Sequence, residues 1–206
     1  MNRRTLLTLP IAAAAAQPPP ERLRAFGLQW RAPIPSDWRV RNEAGGEVLD
    51  LLVARPQQAN PRRPFQYALA ETQPLARFTL QVEVRRQPKT GSLILVYAWR
   101  DSAHFNYLHL SDDAASRVPV HNGVFHCYGG DRVRISSTEG ASTLPTEGWH
   151  AVRMSYDASA GTLEAWVDGR TSPSLKAVDL SLGAGLIGVG SFFNTGSFRG
   201  LKLMEG

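Results

Sequence analysis

The most constraining feature of this 206-residue chain is a rhythm: short runs of alternating apolar and polar residues, cut by turn residues, with no stretch holding a helical period for three turns. Phe78, Leu80, Val82 and Val84 alternate with Thr79, Gln81 and Glu83. Successive strand side chains point to opposite faces, so this segment predicts a strand with one buried and one wet side. Pro88 to Gly91 then read as a turn. Leu93 to Arg100 is nearly continuous in apolar residues and predicts a central strand covered on both faces. Asp101 to His104 turn the chain into Phe105 to Leu110, an antiparallel return.

The same grammar recurs downstream. Trp149 to Tyr156 predicts a strand, Asp157 to Gly161 a hairpin loop, and Thr162 to Val167 its partner, ending at the turn pair Asp168-Gly169. Leu186 to Gly190 and Phe198 to Leu203 supply closing strands. About a dozen half-apolar strands without a trustworthy helix start are most simply buried by stacking two antiparallel sheets. The expected fold class is therefore all-β, a two-sheet antiparallel sandwich occupying residues 30–206 as one domain.

Residues 1–16 have a different character. Arg3 and Arg4 precede an apolar, alanine-rich run through Ala16, the pattern of an export signal with a small-residue cleavage site. Leu6 to Ala16 is shorter than the roughly 20 apolar residues that span a bilayer. The Arg3-Arg4 pair, followed by Thr5-Leu6-Leu7, resembles a twin-arginine signal, with a general secretory signal as the alternative. The expectation is an exported, periplasmic or extracellular protein with no integral membrane segment after cleavage. Gln17 and the prolines at 18–20 open a segment, 17–29, read as a lead-in.

Charge and cysteine content narrow the function. The net charge is +5, but the basic residues are interspersed with acids and no reader motif occurs, so nucleic acid is not an expected partner. The single cysteine, Cys127, precludes an internal disulfide and sits in an apolar run, where a small buried hydrophobe is the expectation.

Several segments resemble a known superfamily. Gly148-Trp149-His150 with Val152-Arg153, followed by Gly161 and Val167-Asp168-Gly169, is similar to the hairpin of concanavalin-A-like (laminin-G-like) jelly rolls. Gly188 to Phe192, Phe198 to Lys202, Trp38 to Val40 with Val48-Leu49, and Tyr97 to Tyr107 resemble other segments of such domains. The nearest group is the bacterial 3-keto-disaccharide hydrolase-like, or family-16-like, sandwich. The acid spacing E-x-D-x-x-E of family-16 glucanases is missing, which argues against that chemistry. The resemblance implies a jelly-roll fold and a carbohydrate ligand. It also implies that structural calcium is possible, with Asp112, Asp113 and Asn122 as candidate ligands.

The residues themselves suggest where a sugar would bind. If Leu108 and Leu110 face the core, Tyr107 and His109 face outward, joined by Trp99 and Arg100 before the turn. His121, Asn122 and His126 on the next hairpin extend the same strip. Aromatic faces take sugar C–H surfaces and planar polar groups take hydroxyls. Trp166 faces away from Leu163, Ala165 and Val167, either as a ligand platform or as cover for a cross-strand neighbour such as Arg153. For an enzyme, Asp101 and His104 are the acid/base candidates. No histidine pair has a tight metal-ligand spacing, so no metal site is assigned, and no G-x-S-x-G elbow occurs. Three functions follow: a glycan-recognising sandwich, a glycosidic-bond hydrolase of the 3-keto-disaccharide type, or a non-catalytic protein-interaction module. The oligomeric state is not encoded in these patterns.

Overall fold

The computed structural model describes residues 22–57, 59–87 and 91–206. The expected signal at 1–16 lies outside the described residues. The strands in chain order are β1 (Leu23–Ala25), β2 (Leu28–Arg31), β3 (Trp38–Glu43), β4 (Gly46–Leu51), β5 (Gln66–Ala70), β6 (Arg77–Arg86), β7 (Ser92–Asp101) and β8 (His104–Ser111). They continue with β9 (Gly123–Tyr128), β10 (Val133–Arg134), β11 (His150–Asp157), β12 (Thr162–Val167), β13 (Leu175–Val178), β14 (Leu186–Ser191) and β15 (Gly196–Glu205). Among the described residues the only helical element is a single 3-10 turn at Pro35–Asp37.

These strands form two antiparallel sheets. One has eight strands in the order β1-β2-β5-β14-β7-β8-β9-β10, and the other seven in the order β13-β12-β11-β6-β15-β4-β3. The all-β, two-sheet antiparallel sandwich read from the sequence is the observed architecture.

Strand alternation explains how the sheets stack. Phe78, Leu80, Val82 and Val84 of β6 are buried between the sheets, as are Val152, Met154 and Tyr156 of β11 and Leu163, Ala165 and Val167 of β12. The eight-stranded sheet answers with Leu93, Leu95, Tyr97, Leu108, Leu110 and Val189. Where β14 crosses β5, Gly190 is required by space: a Cβ there would lie 2.2 Å from the Gln66 carbonyl oxygen.

Two expectations need correction. The lead-in at 17–29 already contains β1 and the first half of β2. Trp30 is fully buried and its indole N–H donates to the Ala25 carbonyl at 3.0 Å, which ties the first hairpin into the sandwich. The second correction concerns the outer side of the eight-stranded sheet, which is closed. Tyr67, Leu69, Ile94, Val96, Phe105, Tyr107, Phe125, Cys127 and Phe192 form a second apolar cluster there. The Val120 carbonyl, in the connection before β9, meets His109 at 3.1 Å, and the Arg132 guanidinium, between β9 and β10, lies 4.7 Å above the Phe125 ring and 4.2 Å above Phe192.

Candidate functional site

The closed outer face relocates the expected sugar-binding strip. Tyr107 does point away from the inter-sheet core, but it is fully buried, stacked on Phe125 at 5.4 Å, with its hydroxyl accepting from Arg132 at 2.9 Å. Desolvation raises its phenol pKa. His109 is likewise fully buried, beside Phe192, with Nδ1 3.1 Å from the Val120 carbonyl oxygen. Burial first, then the nearby Arg132 and His121, push its pKa well below the usual histidine value. Neither residue offers a surface to a ligand. The sequence pattern was right about direction and wrong about water, because "away from the core" here means into a second core.

The other members of the strip scatter. A bulge at Ala98, whose φ is +49°, breaks the alternation of β7. Tyr97 and Ala98 both join the inter-sheet core, while Trp99 packs half-buried on the outer cluster, its indole N–H donating to the Tyr67 hydroxyl at 3.2 Å. Arg100 is exposed. His121 pairs with Asp113 at 3.0 Å. Asn122 is buried, and its side-chain oxygen accepts from both the backbone N–H and the hydroxyl of Thr143. His126 faces the sandwich edge, 2.8 Å from Asn106 and 3.1 Å from Asp179.

The proposed acid/base pair is a turn. One oxygen of Asp101 accepts from the Ala103 N–H at 2.7 Å, and both carboxylate oxygens lie 2.9 Å from His104 Nδ1. The backbone hydrogen bond, then His104, lowers the Asp101 pKa, which keeps it ionised and unsuited to donating a proton. The candidate calcium ligands have protein partners: the Ser111 hydroxyl donates to Asp112 at 3.3 Å. Asp113 is held by Arg117 and His121, and Asn122 spends its oxygen on Thr143. Among the described residues, no three His, Cys, Asp or Glu side chains gather in a way that would hold a metal.

A groove lies instead on the outer face of the seven-stranded sheet. Strand register places Trp166 of β12 opposite Arg153 of β11, Arg153 opposite Gln81 of β6, and Gln81 opposite Lys202 of β15. These four side chains form one row across four adjacent strands. The Arg153 guanidinium lies 4.0 Å over the Trp166 ring, the cross-strand contact that was one of the two readings of Trp166. In the next row, Ala151 leaves a shallow floor beside Glu83. A bulge in β15 between Arg199 and Lys202, with Gly200 at φ +60°, sets back the far wall, and Arg170 closes the near end after the β12 turn. The resulting cavity is about 390 Å³, in the range of small-molecule sites. Sequence reasoning found Trp166 and Arg153 from simple alternation. It missed Gln81, Arg170 and Lys202, because only the inter-strand register brings them together.

A second aromatic stack flanks this groove. Trp149 lies against Arg85 at 4.4 Å and Arg199 at 4.2 Å, and Arg199 binds both oxygens of Glu83, at 2.9 and 3.1 Å. Asp168 serves the turn: its carboxylate accepts from the Ala151 N–H at 3.0 Å and lies 2.8 Å from His150 Nδ1.

The fold and this face define the class: an all-β, two-sheet antiparallel sandwich with a groove on the outer face of one sheet. No family model matches the sequence, and no curated protein does. Solved structures share its fold. A carbohydrate-binding module, CBM66, from Bacillus subtilis is similar at a TM-score of 0.61 and 12% identity, over 86% of this chain and 95% of that one. A putative glycosyl hydrolase from Parabacteroides distasonis is similar at 0.57 and 11%, over 85% and 98%. The GH43 protein BlXynB from Bacillus licheniformis is similar at 0.56 and 10%, over 91% of this chain but 38% of that longer one.

Proposed function

We propose that this protein recognises a saccharide in the groove on its seven-stranded sheet. The observation that carries the reading is the row Trp166–Arg153–Gln81–Lys202, which sets an aromatic plane beside amide and cationic donors in one open cavity. The stacked Trp166–Arg153 pair supplies the flat, partly apolar surface on which sugar C–H groups pack. Gln81 donates and accepts toward hydroxyls. The fold shared with a carbohydrate-binding module and with a putative glycosyl hydrolase is consistent with this use, by analogy. The signal-like residues 1–16 support export to a compartment where such ligands occur.

Recognition is favoured over cleavage. Glycoside hydrolysis ordinarily needs two carboxyl groups about 5–9.5 Å apart. The described groove lining holds one, Glu83, and that one is engaged by Arg199. The alternative of a glycosidic-bond hydrolase of the 3-keto-disaccharide type finds no such carboxyl pair in this groove.

The test is a glycan panel scored for binding and for bond cleavage together. Trp166→Ala should abolish binding while moving the urea midpoint little, since the ring is half-buried on an outer face. Retained affinity in that variant would remove the groove from consideration.

A further inference from the structure

The charge state of the groove narrows the ligand, and this step rests on the saccharide reading above. Most arginines on the outer face of the seven-stranded sheet are neutralised by local carboxylates. Arg39 and Arg41 meet Asp50, at 3.1 and 2.6 Å. Arg85 lies 3.6 Å from Glu43, and Arg199 binds Glu83. The groove departs from this pattern. Among the described residues, Arg153, Arg170 and Lys202 make no ion pair, although all three line the same cavity. Glu83, the one carboxylate in the described lining, is committed to Arg199 through a two-point contact and is not offered to a ligand cation.

We infer that the groove takes an anionic saccharide, one whose rings carry carboxylate or sulfate groups. Three uncompensated cations around one cavity repel one another, and a bound anion converts that repulsion into attraction. A guanidinium presents two parallel N–H donors that match both oxygens of a carboxylate or sulfate, and Lys202 adds a mobile point charge. Toward a neutral sugar the same groups can donate to hydroxyls, but no opposite charge offsets their mutual repulsion, so an anionic ring gains more. Trp166 and Gln81 keep the site selective for a ring with hydroxyls over a bare anion. Nucleic acid would also bring anions. The site, however, is a single groove of about 390 Å³ with one tryptophan in its lining, not a stripe of successive aromatic platforms that tracks a backbone.

The test is calorimetric titration of the protein with oligogalacturonate, oligomannuronate, a sulfated heparin disaccharide, neutral maltotriose and a thymidine oligonucleotide. Each is run at low and raised salt. At least one acidic sugar should bind about tenfold more tightly than maltotriose, and its affinity should fall as salt screens the contact. The preferred member of the panel separates carboxylate from sulfate recognition. Arg170→Gln and Lys202→Gln, both exposed and free of structural ion pairs, should each weaken acidic-sugar binding about three- to tenfold. Arg24→Gln, an equal charge change on β1 of the other sheet, should leave it unchanged. Equal weakening by Arg24→Gln would show general charge attraction and overturn the inference, as would oligonucleotide binding as tight as the best sugar. Neutral-sugar binding that Trp166→Ala abolishes and the charge variants ignore would overturn the anionic ligand but keep the saccharide reading. No binding to any sugar would overturn both.

Discussion

Replacing Tyr107 by alanine separates the two faces of this sandwich. Tyr107 is fully buried in the outer cluster, in contact with Phe105 and Phe125, and its hydroxyl accepts a hydrogen bond from Arg132. Truncating a buried aromatic of this size costs about 3–5 kcal/mol, combining lost transfer energy with the cavity left behind. Loss of the stacked Phe125 contact belongs within that figure. A value near 4 kcal/mol is a large part of the roughly 5–15 kcal/mol available to a domain. At about 2–4 °C per kcal/mol for a chain of this length, melting should fall by roughly 8–16 °C. Tyr107→Phe removes only the hydroxyl. Arg132 is partly exposed, so water replaces its lost partner, and the cost should be about 1 kcal/mol. Urea denaturation of the three proteins gives both numbers, and titration with a groove ligand should give equal affinity for wild type and Tyr107→Phe. If Tyr107→Ala melted like wild type yet lost saccharide binding, the outer face of the eight-stranded sheet would be open, and the groove assignment would be wrong.

Two further outcomes follow from the same cluster. The depressed pKa of His109 means that the unfolded chain binds its proton first as pH falls, so stability is full above the usual histidine value of about 6.5 and declines as pH drops below it toward the folded value. The slope from this group is at most about 1.4 kcal/mol per pH unit, and the urea midpoint at pH 5 should lie below that at pH 7. In His109→Phe that loss should shrink, and an unchanged pH profile would show that the buried ring is not its source. Cys127 is fully buried, and desolvation pushes its thiol pKa up to about 12, so a thiol-reactive dye at pH 8 should label the protein only after unfolding. Rapid labelling of the folded protein would place the cysteine at an accessible surface.

How much of this was legible in the sequence depends on whether a property is local. Alternation in β6, β11 and β12 is local, and it predicts both their buried rows and their outward ones. The outward position of Trp166, opposite Arg153, follows from it. Pairing register is not local: nothing in the run Phe198 to Leu203 announces that a bulge sets Lys202 opposite Gln81 and opens the groove. The bulge at Ala98 is equally silent, and it moved Trp99 out of the row it shares with Tyr97 in an ideal strand.

The misreading of Tyr107 and His109 has a different origin. An outward position in a strand faces away from one core, and whether it meets water depends on what folds over that sheet. The strands themselves carry part of the answer. Along β8, Phe105 and Tyr107 alternate with Asn106 and Leu108, so apolar side chains occur in both alternating sets, as they do throughout β7. Two-sided apolarity is the mark of a strand buried on both faces. In β6, β11 and β12, by contrast, one set is apolar and the other carries Gln81, Glu83, Arg153 and Glu164. A sheet built from such strands must leave that set to solvent or to a polar ligand. The rule that made β7 a covered strand therefore also assigns β8 to the closed face, and leaves the polar set around Trp166 on an uncovered face of the sandwich, where the proposed groove lies.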